Sequence, residues 1–320
     1  MNAAVVTSFA APPRYTTFAD PVPTDSEKLV TVTAAALHPI VRSLANGSHY
    51  GSTGELPFVA GVDGVGRLED GTRVYFGLSR APFGTFSELA LASPVICIPL
   101  PNGVDDVTAA GSANPAMSSW VALTARAKFV AGESVLILGA TGSAGQFAVQ
   151  VAKRLGARRV IAAGRNPHAL ERLKDLGADA TIPLEQPHEA LVSAFRRERD
   201  HSGIDIVLDY LWGPPASAAL EAIAQKGLSK SAPRVRYIQI GSMAGASIPL
   251  QAATLRSSGL ELLGSGFGSA SLDQIRDAVT GFFAAAATTP FDTNIKAAPL
   301  RDVEALWNAP EPTARLVFQP

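Results

Sequence analysis

Val135-Leu-Ile-Leu-Gly139-Ala-Thr-Gly142-Ser-Ala-Gly145-Gln-Phe-Ala-Val-Gln-Val151 is the stretch whose reading decides the fold. A short β-rich apolar run breaks at a glycine cluster and then turns helical, with Phe147, Ala148 and Val151 at one-turn spacing. Strand, glycine turn and helix in that order are what a dinucleotide pyrophosphate needs. Gly142 lets the backbone approach the phosphates, and Gly145 lets helix and strand pack closely. The free N–H groups at the helix start face the negative charge. Ala140, Thr141, Gly142, Ser143, Ala144 and Gly145 are thus the expected phosphate cradle.

The next strand decides which dinucleotide. Arg159-Val-Ile-Ala-Ala163 reads as a second parallel strand and runs into Gly164-Arg165-Asn166. A cofactor ending in a free ribose 2′-hydroxyl calls for an acid here, about 20 residues beyond the glycines. The position holds Arg165 instead. A guanidinium pairs with a 2′-phosphate, and a charge-assisted hydrogen bond contributes about 1.5 to 3 kcal/mol. That corresponds to about a 10- to 150-fold preference for the phosphorylated cofactor. NADP(H) is the expected cofactor, with Gly164, Arg165 and Asn166 around its 2′-phosphate; the alternative is a solvated arginine in a surface turn.

Composition narrows the class. The chain has 320 residues, enough for one large domain or two ordinary ones, with 47% hydrophobic and 17% charged residues. A formal net charge of −1 gives no reason to expect nucleic acid or an anionic membrane as partner. The first fifteen residues lack a basic flank and apolar core, and no apolar run approaches the roughly 20 residues of a membrane span. The single cysteine, Cys97, excludes an intrachain disulfide and suits a reducing compartment, so a cytoplasmic protein is expected. Cys97 lies in the apolar run Val95-Ile-Cys-Ile98 and reads as a small buried hydrophobe. Five histidines (His38, His49, His168, His188 and His201) show no metal-ligand spacing, so metal-independent chemistry is expected.

The chain changes rhythm near Ala109. Before it come short strands such as Val30–Thr33 and Arg73–Phe76, with turn signals at Asn46-Gly47 and Asp70-Gly71. After it, alanine-rich helices alternate with strands at Val135–Leu138, Val160–Ala163, Ala180–Pro183, Ile204–Tyr210 and Tyr237–Ile240. That alternation predicts a doubly wound parallel sheet covered by helices. The carboxyl ends of its later strands, Asp209 to Trp212 and Gly241 to Ala244, should line the cofactor crevice. Leu211, Gly241, Ser242 and Met243 are the contacts expected there. The closing Arg315–Phe318 reads as a strand returning to the first domain.

Quoted together, Leu56-Pro-Phe-Val-Ala-Gly-Val-Asp-Gly64-Val-Gly, Gly84-Thr-Phe-Ser-Glu88, the Ala140–Gly145 turn, Leu176-Gly-Ala-Asp179 and Arg315–Phe318 carry a resemblance. The chain resembles the medium-chain dehydrogenase/reductase superfamily, in its zinc-free quinone oxidoreductase-like branch. The resemblance implies an α/β fold with a GroES-like β-rich catalytic domain, residues 1–116 joined by 262–320, and a Rossmann NADP(H)-binding domain over 117–261. It also implies a homodimer or homotetramer. Zinc-dependent relatives carry Gly-His-Glu where this chain has Gly61-Val62-Asp63, and their first cysteine ligand falls near His38. The alcohol dehydrogenase metal site is therefore lost. The turn also resembles that of extended short-chain reductases, but those begin with it and carry a Tyr-x-x-x-Lys pair that is absent here.

The expected chemistry is NADPH-dependent reduction of a quinone or another conjugated carbonyl, with an alkenal or enoyl-thioester reductase as alternative. An NADPH-binding redox sensor without relevant turnover is the reading from another class. Reduction of an enone requires donors for the enolate oxygen and a proton at the α carbon. Tyr50, in the polar turn Gly47-Ser-His-Tyr-Gly51, is the candidate donor, because enoyl-thioester reductases of the superfamily carry a tyrosine in a similar place. Asn114-Pro115 looks like their segment near the nicotinamide; otherwise Asn114 is a helix-start cap and Tyr50 a loop aromatic. His38 and His49 titrate near neutrality and would orient the acceptor oxygen or shuttle a proton. Trp212 and Phe267 are expected as apolar walls, with Gly264-Ser-Gly266-Phe267-Gly268 as a backbone clasp on the nicotinamide end.

Overall fold

The computed structural model describes residues 1–224, 232–266, 268–309 and 314–320. The chain divides into two compact units, Met1–Asn114 with Val279–Pro320, and Pro115–Ala278. In the first unit the strands are β1 (Asn2–Val6), β2 (Arg14–Thr17), β3 (Lys28–Ala36), β4 (Phe58–Val59), β5 (Asp63–Arg67), β6 (Arg73–Gly77), β7 (Leu89–Ala92) and β8 (Cys97–Pro99). A short helix, α1 (Pro39–Ala45), follows β3, and α2 (Asp106–Val121) leads into the second unit.

The second unit holds β9 (Ser134–Leu138), α3 (Ser143–Arg154), β10 (Arg159–Gly164), α4 (Pro167–Asp175), β11 (Ala180–Pro183), α5 (His188–Ser202), β12 (Ile206–Asp209), α6 (Gly213–Ile223), β13 (Arg234–Gln239), α7 (Ala252–Arg256) and β14 (Gly259–Gly264). Helix α8 (Leu272–Thr288) carries the chain back to the first unit, where β15 (Ile295–Pro299), α9 (Val303–Trp307) and β16 (Arg315–Gln319) complete it.

In the second unit six strands pair in the order β11-β10-β9-β12-β13-β14, all parallel. β9 is central, and its Val-Leu-Ile-Leu run has 0% exposure at all four positions, as a strand covered on both faces requires. Each such side chain contributes about 1.5 to 3 kcal/mol on burial. The chain leaves β9 for β10 and β11 on one side, then crosses to β12 on the other. The carboxyl ends of β9 and β12 therefore flank a switch point in strand order, where open α/β sheets bind ligands. β14 is the strand that alternation did not announce: Gly259-Leu-Glu-Leu-Leu-Gly264 is half-exposed and has no continuous apolar run.

In the first unit β15-β16-β3-β5-β6-β8 form a sheet with β7 also on β3, and β2-β1-β4 form a second sheet. Phe76, Phe86, Phe318 and Trp307 fill its core, with the Phe86 and Phe318 rings 5.3 Å apart and edge-on. The final strand β16 runs antiparallel to β3, and Leu37 N–H donates to Leu316 O at 2.9 Å. The last residues of the chain thus brace the segment just before His38. Gly66 explains the glycine density of β5: a Cβ there would lie 2.3 Å from Thr31 O on the neighbouring strand.

Candidate functional site

The glycine turn is built from backbone. Gly139 has φ +87°, a region that side chains with a Cβ disfavour. The N–H groups of Gly139 and Ala140 both donate to Ala163 O, at 3.0 and 2.9 Å, which ties the turn to the end of β10. A Cβ on Gly145 would lie 2.3 Å from Gly139 O and 2.5 Å from Ala140 Cα, so the approach of α3 to β9 needs glycine. At Gly142 the reason differs. A Cβ there would meet Gly139 O alone, at 3.5 Å, leaving the space ahead of α3 open. Helix α3 has no capping side chain and no acid in its first turn, so its first N–H groups remain for an anion. Ser143 and Ala144 stand in that first turn. The Thr141 side chain lies over the end of β10, where a Cβ on Gly164 would be 2.3 Å from its methyl carbon.

Arg165 follows β10 immediately and is exposed. The Asn166 side-chain oxygen accepts from the N–H groups of His168 and Ala169 at 3.0 and 3.1 Å, capping α4. That oxygen therefore serves the helix, and what Asn166 offers a ligand is its amide group.

On the other side of the switch point, Asp209 ends β12 with 0% exposure. Its Oδ1 accepts from Leu211 N–H at 2.8 Å and Trp212 N–H at 2.9 Å, and its Oδ2 accepts from the Tyr237 hydroxyl at 2.7 Å. Burial pushes the Asp209 carboxyl up from its ordinary range, against these three donors, and pushes the Tyr237 hydroxyl well up too. Leu211 packs against Gly139, its side chain 3.1 Å from where a Cβ would stand. Trp212 is half-buried, edge-on to the Tyr237 ring at 6.3 Å. The Tyr210 hydroxyl pairs with Ser118 of α2 at 3.2 Å and is pushed up to about 12 by burial. Gly241, Ser242 and Met243 follow β13; Met243 is 79% exposed. Gly266 N–H donates to Ser269 Oγ at 2.7 Å beyond β14, and Arg126 Nε donates to Gly264 O at 2.8 Å. Phe267 lies outside the described residues.

The catalytic candidates divide by burial. Tyr50 is 75% exposed and stacked on His49, their ring centroids 4.2 Å apart. His49 Nδ1 accepts from Gly51 N–H at 3.0 Å, and partial burial lowers its pKa. His38 is 1% exposed, at the residue before α1, its Nε2 3.6 Å from Asp63 Oδ1. Asp63 Oδ2 accepts from the Tyr75 hydroxyl at 2.7 Å. Burial, with Asp63 beside it, pushes Tyr75 well up. His38 thus belongs to a buried polar cluster, apart from the exposed His49–Tyr50 stack. Asn114 lies inside α2, just before Pro115, so it is not a helix-start cap. Cys97 is half-buried rather than buried, and burial raises its pKa.

A phosphorylated dinucleotide fits the second unit. The uncapped start of α3, the open space at Gly142 and the exposed Arg165 supply the contacts that a pyrophosphate and a 2′-phosphate require. Among the described residues no group of three or more His, Cys, Asp or Glu could hold a metal ion, and none of the helices is long and apolar enough to cross a membrane.

Residues 144–282 match the family described as zinc-binding dehydrogenase. The chain is 28% identical to the Emericella nidulans protein named Probable NADPH-dependent quinone reductase tdiC, over 96% of each chain. It is 28% identical to the NADPH-dependent alkenal/one oxidoreductase, chloroplastic, of Arabidopsis thaliana over 49% of this chain and 45% of that protein. Among solved structures, the quinone oxidoreductase from Thermus thermophilus, determined also as its complex with NADPH, is 25% identical, covers 100% of both chains and has a TM-score of 0.80. The strand order, the glycine turn and these likenesses together make the chain similar to the medium-chain dehydrogenase/reductase superfamily, in its quinone oxidoreductase-like group.

Proposed function

We propose that this chain is an NADPH-dependent oxidoreductase that reduces quinones or other conjugated carbonyls without a metal ion. The observation that carries this reading is the pairing of an uncapped, acid-free start of α3 with an exposed arginine at the end of β10. The relatives named for NADPH and quinone support it.

When bound, NADPH supplies the hydride for reduction. The chain's own residues do the rest. The first N–H groups of α3 bind the pyrophosphate and Arg165 pairs with the 2′-phosphate. Leu211, Ser242 and Met243 would border the cofactor at the ends of β12 and β13, with Gly266 toward its nicotinamide end. A quinone asks little more, because a quinol oxyanion is stabilised by its own ring. For an enone, the Tyr50 hydroxyl donates the proton to the α carbon. The stacked His49 ring fixes the tyrosine's orientation. His38, held beside Asp63, orients the segment that carries α1. Asn114 stands one turn of α2 before Ser118.

Metal independence rests on residue chemistry: Val62 cannot ligate, and His38 and Asp63 lack a third ligand among the described residues. The half-exposed edge strand β14, with Leu262 at 38% exposure and no outer partner among the described strands, suits pairing with a second copy, so we propose a homodimer. The single cysteine suits the cytoplasm.

The test is NADPH oxidation by the purified protein with a para-quinone and, in parallel, an unhindered enone of similar size. Loss with the quinone alone assigns quinone reduction. Comparable or faster loss with the enone assigns double-bond reduction, the reading that the alkenal/one oxidoreductase relative favours. Loss with neither, alongside NADPH-dependent melting, leaves a binding protein that senses the cofactor.

A further inference from the structure

The turn after β12 has an unusual construction. Trp212 sits at φ +55° and ψ −156°, strained for a residue with a side chain, and Gly213 follows at φ +60°. Strain of this kind persists only where the surroundings over-determine it. Three sets of contacts do so here. Asp209, fully buried, receives Leu211 N–H and Trp212 N–H on one carboxylate oxygen and the Tyr237 hydroxyl of β13 on the other. Leu211 O accepts from Ala244 N–H at 2.7 Å, and Asp209 O accepts from Ile240 N–H at 2.8 Å. The Tyr210 hydroxyl is anchored on Ser118.

The result aims one side chain. Leu211 is pressed onto Gly139, at the point where β9 enters the glycine turn. A carboxylate buried at the end of an apolar strand is costly, and three donors are needed to hold it. A short polar cap such as serine would close an ordinary strand end at lower cost.

We propose that Asp209 is a positioning residue for NADPH binding, acting through Leu211 and the strained Trp212 turn on the phosphate-binding glycine turn. This rests on the NADPH reading of the site. Asparagine preserves the arrangement: its oxygen accepts from the two N–H groups and its amide donates to Tyr237 Oη, which can accept. Alanine removes all three contacts and leaves two backbone donors buried.

The experiment is calorimetric titration of the full chain with NADPH, with melting temperature and steady-state kinetics on the same samples. Asp209→Ala should raise the Kd for NADPH about tenfold or more, with KM rising in step and kcat falling no more than about threefold. Asp209→Asn should restore Kd to within about threefold of the parent. Tyr237→Phe, which removes one contact of three, should raise Kd about threefold with little change in melting; it carries the test if the alanine variant fails to fold. A Kd unchanged in Asp209→Ala, or in Tyr237→Phe where the alanine variant does not fold, overturns the proposal while the NADPH reading stands. A parent protein that fails to bind NADPH overturns that reading, and this inference with it.

Discussion

The turn from Gly139 to Gly145 and the turn from Gly47 to Gly51 both carry proposed chemistry, and they are made differently. In the first, the chain is fixed by its own backbone: two N–H groups share Ala163 O, and α3 approaches so closely that Gly145 has no room for a Cβ. In the second, a tyrosine 75% exposed rests on a histidine whose Nδ1 accepts from Gly51 N–H. Binding a pyrophosphate needs pre-placed N–H groups, which only a rigid backbone provides. Donating a proton needs one hydroxyl within reach of the acceptor. The first demand marks many residues of the sequence; the second marks one.

The sharpest way to break this comparison is at Gly145. A Gly145→Val side chain meets backbone on its first carbon, and overpacking of this kind costs about 1 to 3 kcal/mol or more. NADPH binding should be lost by titration while Tyr50→Phe leaves it untouched. If both variants bind alike, the glycine turn is not the cofactor site. Tyr50→Phe should lower kcat for an enone about 10²-fold or more and leave a para-quinone unaffected. Equal rates on both substrates would remove Tyr50 from the chemistry. Arg165→Asp should erase a roughly 10- to 150-fold preference for NADPH over NADH in kcat/KM, and an unchanged ratio would make Arg165 a surface arginine.

The smallest effect lies away from both turns. Hydrogen bonds from Arg80 and Thr24 lower the Glu27 carboxyl to about 2. A carboxylate with a depressed folded pKa adds stability that is present above its ordinary value of 4.5 and is lost as pH falls through about 2. Glu27→Gln should therefore lower the melting temperature slightly at pH 7, with the difference vanishing near pH 2. The Arg80–Glu27 pair lies at the surface, with Arg80 47% exposed, and salt screens it, so the shift should shrink further at high ionic strength.

Much of the cofactor unit was legible because its signals are local. A run of four apolar residues, a glycine spacing and a helical period each occupy consecutive positions; they placed β9, β10 and β11 within a residue or two and put a helix after the glycine turn. β14 was not legible, since an edge strand needs no continuous apolar run. The cap at Asn166 and the interior place of Asn114 in α2 depend on where helices begin, which a single sequence marks poorly. Asp209 could have been noticed as a lone acid ending an apolar strand with a glycine soon after. Its partners, Tyr237 in particular, lie on another strand and leave no trace at that position.

By itself the sequence determined the parallel α/β unit, its strand–glycine turn–helix passage and the absence of an acid where NAD-type cofactors need one, because these follow from backbone requirements and charge at adjacent positions. Only the tertiary structure decided that Leu211 bears on Gly139, that Asp209 is buried under three donors, that His38 joins Asp63 and Tyr75 in a buried cluster, and that β16 braces the strand before His38. Each of these joins residues distant in sequence, and their pairing is set by strand order and packing, which no local pattern specifies.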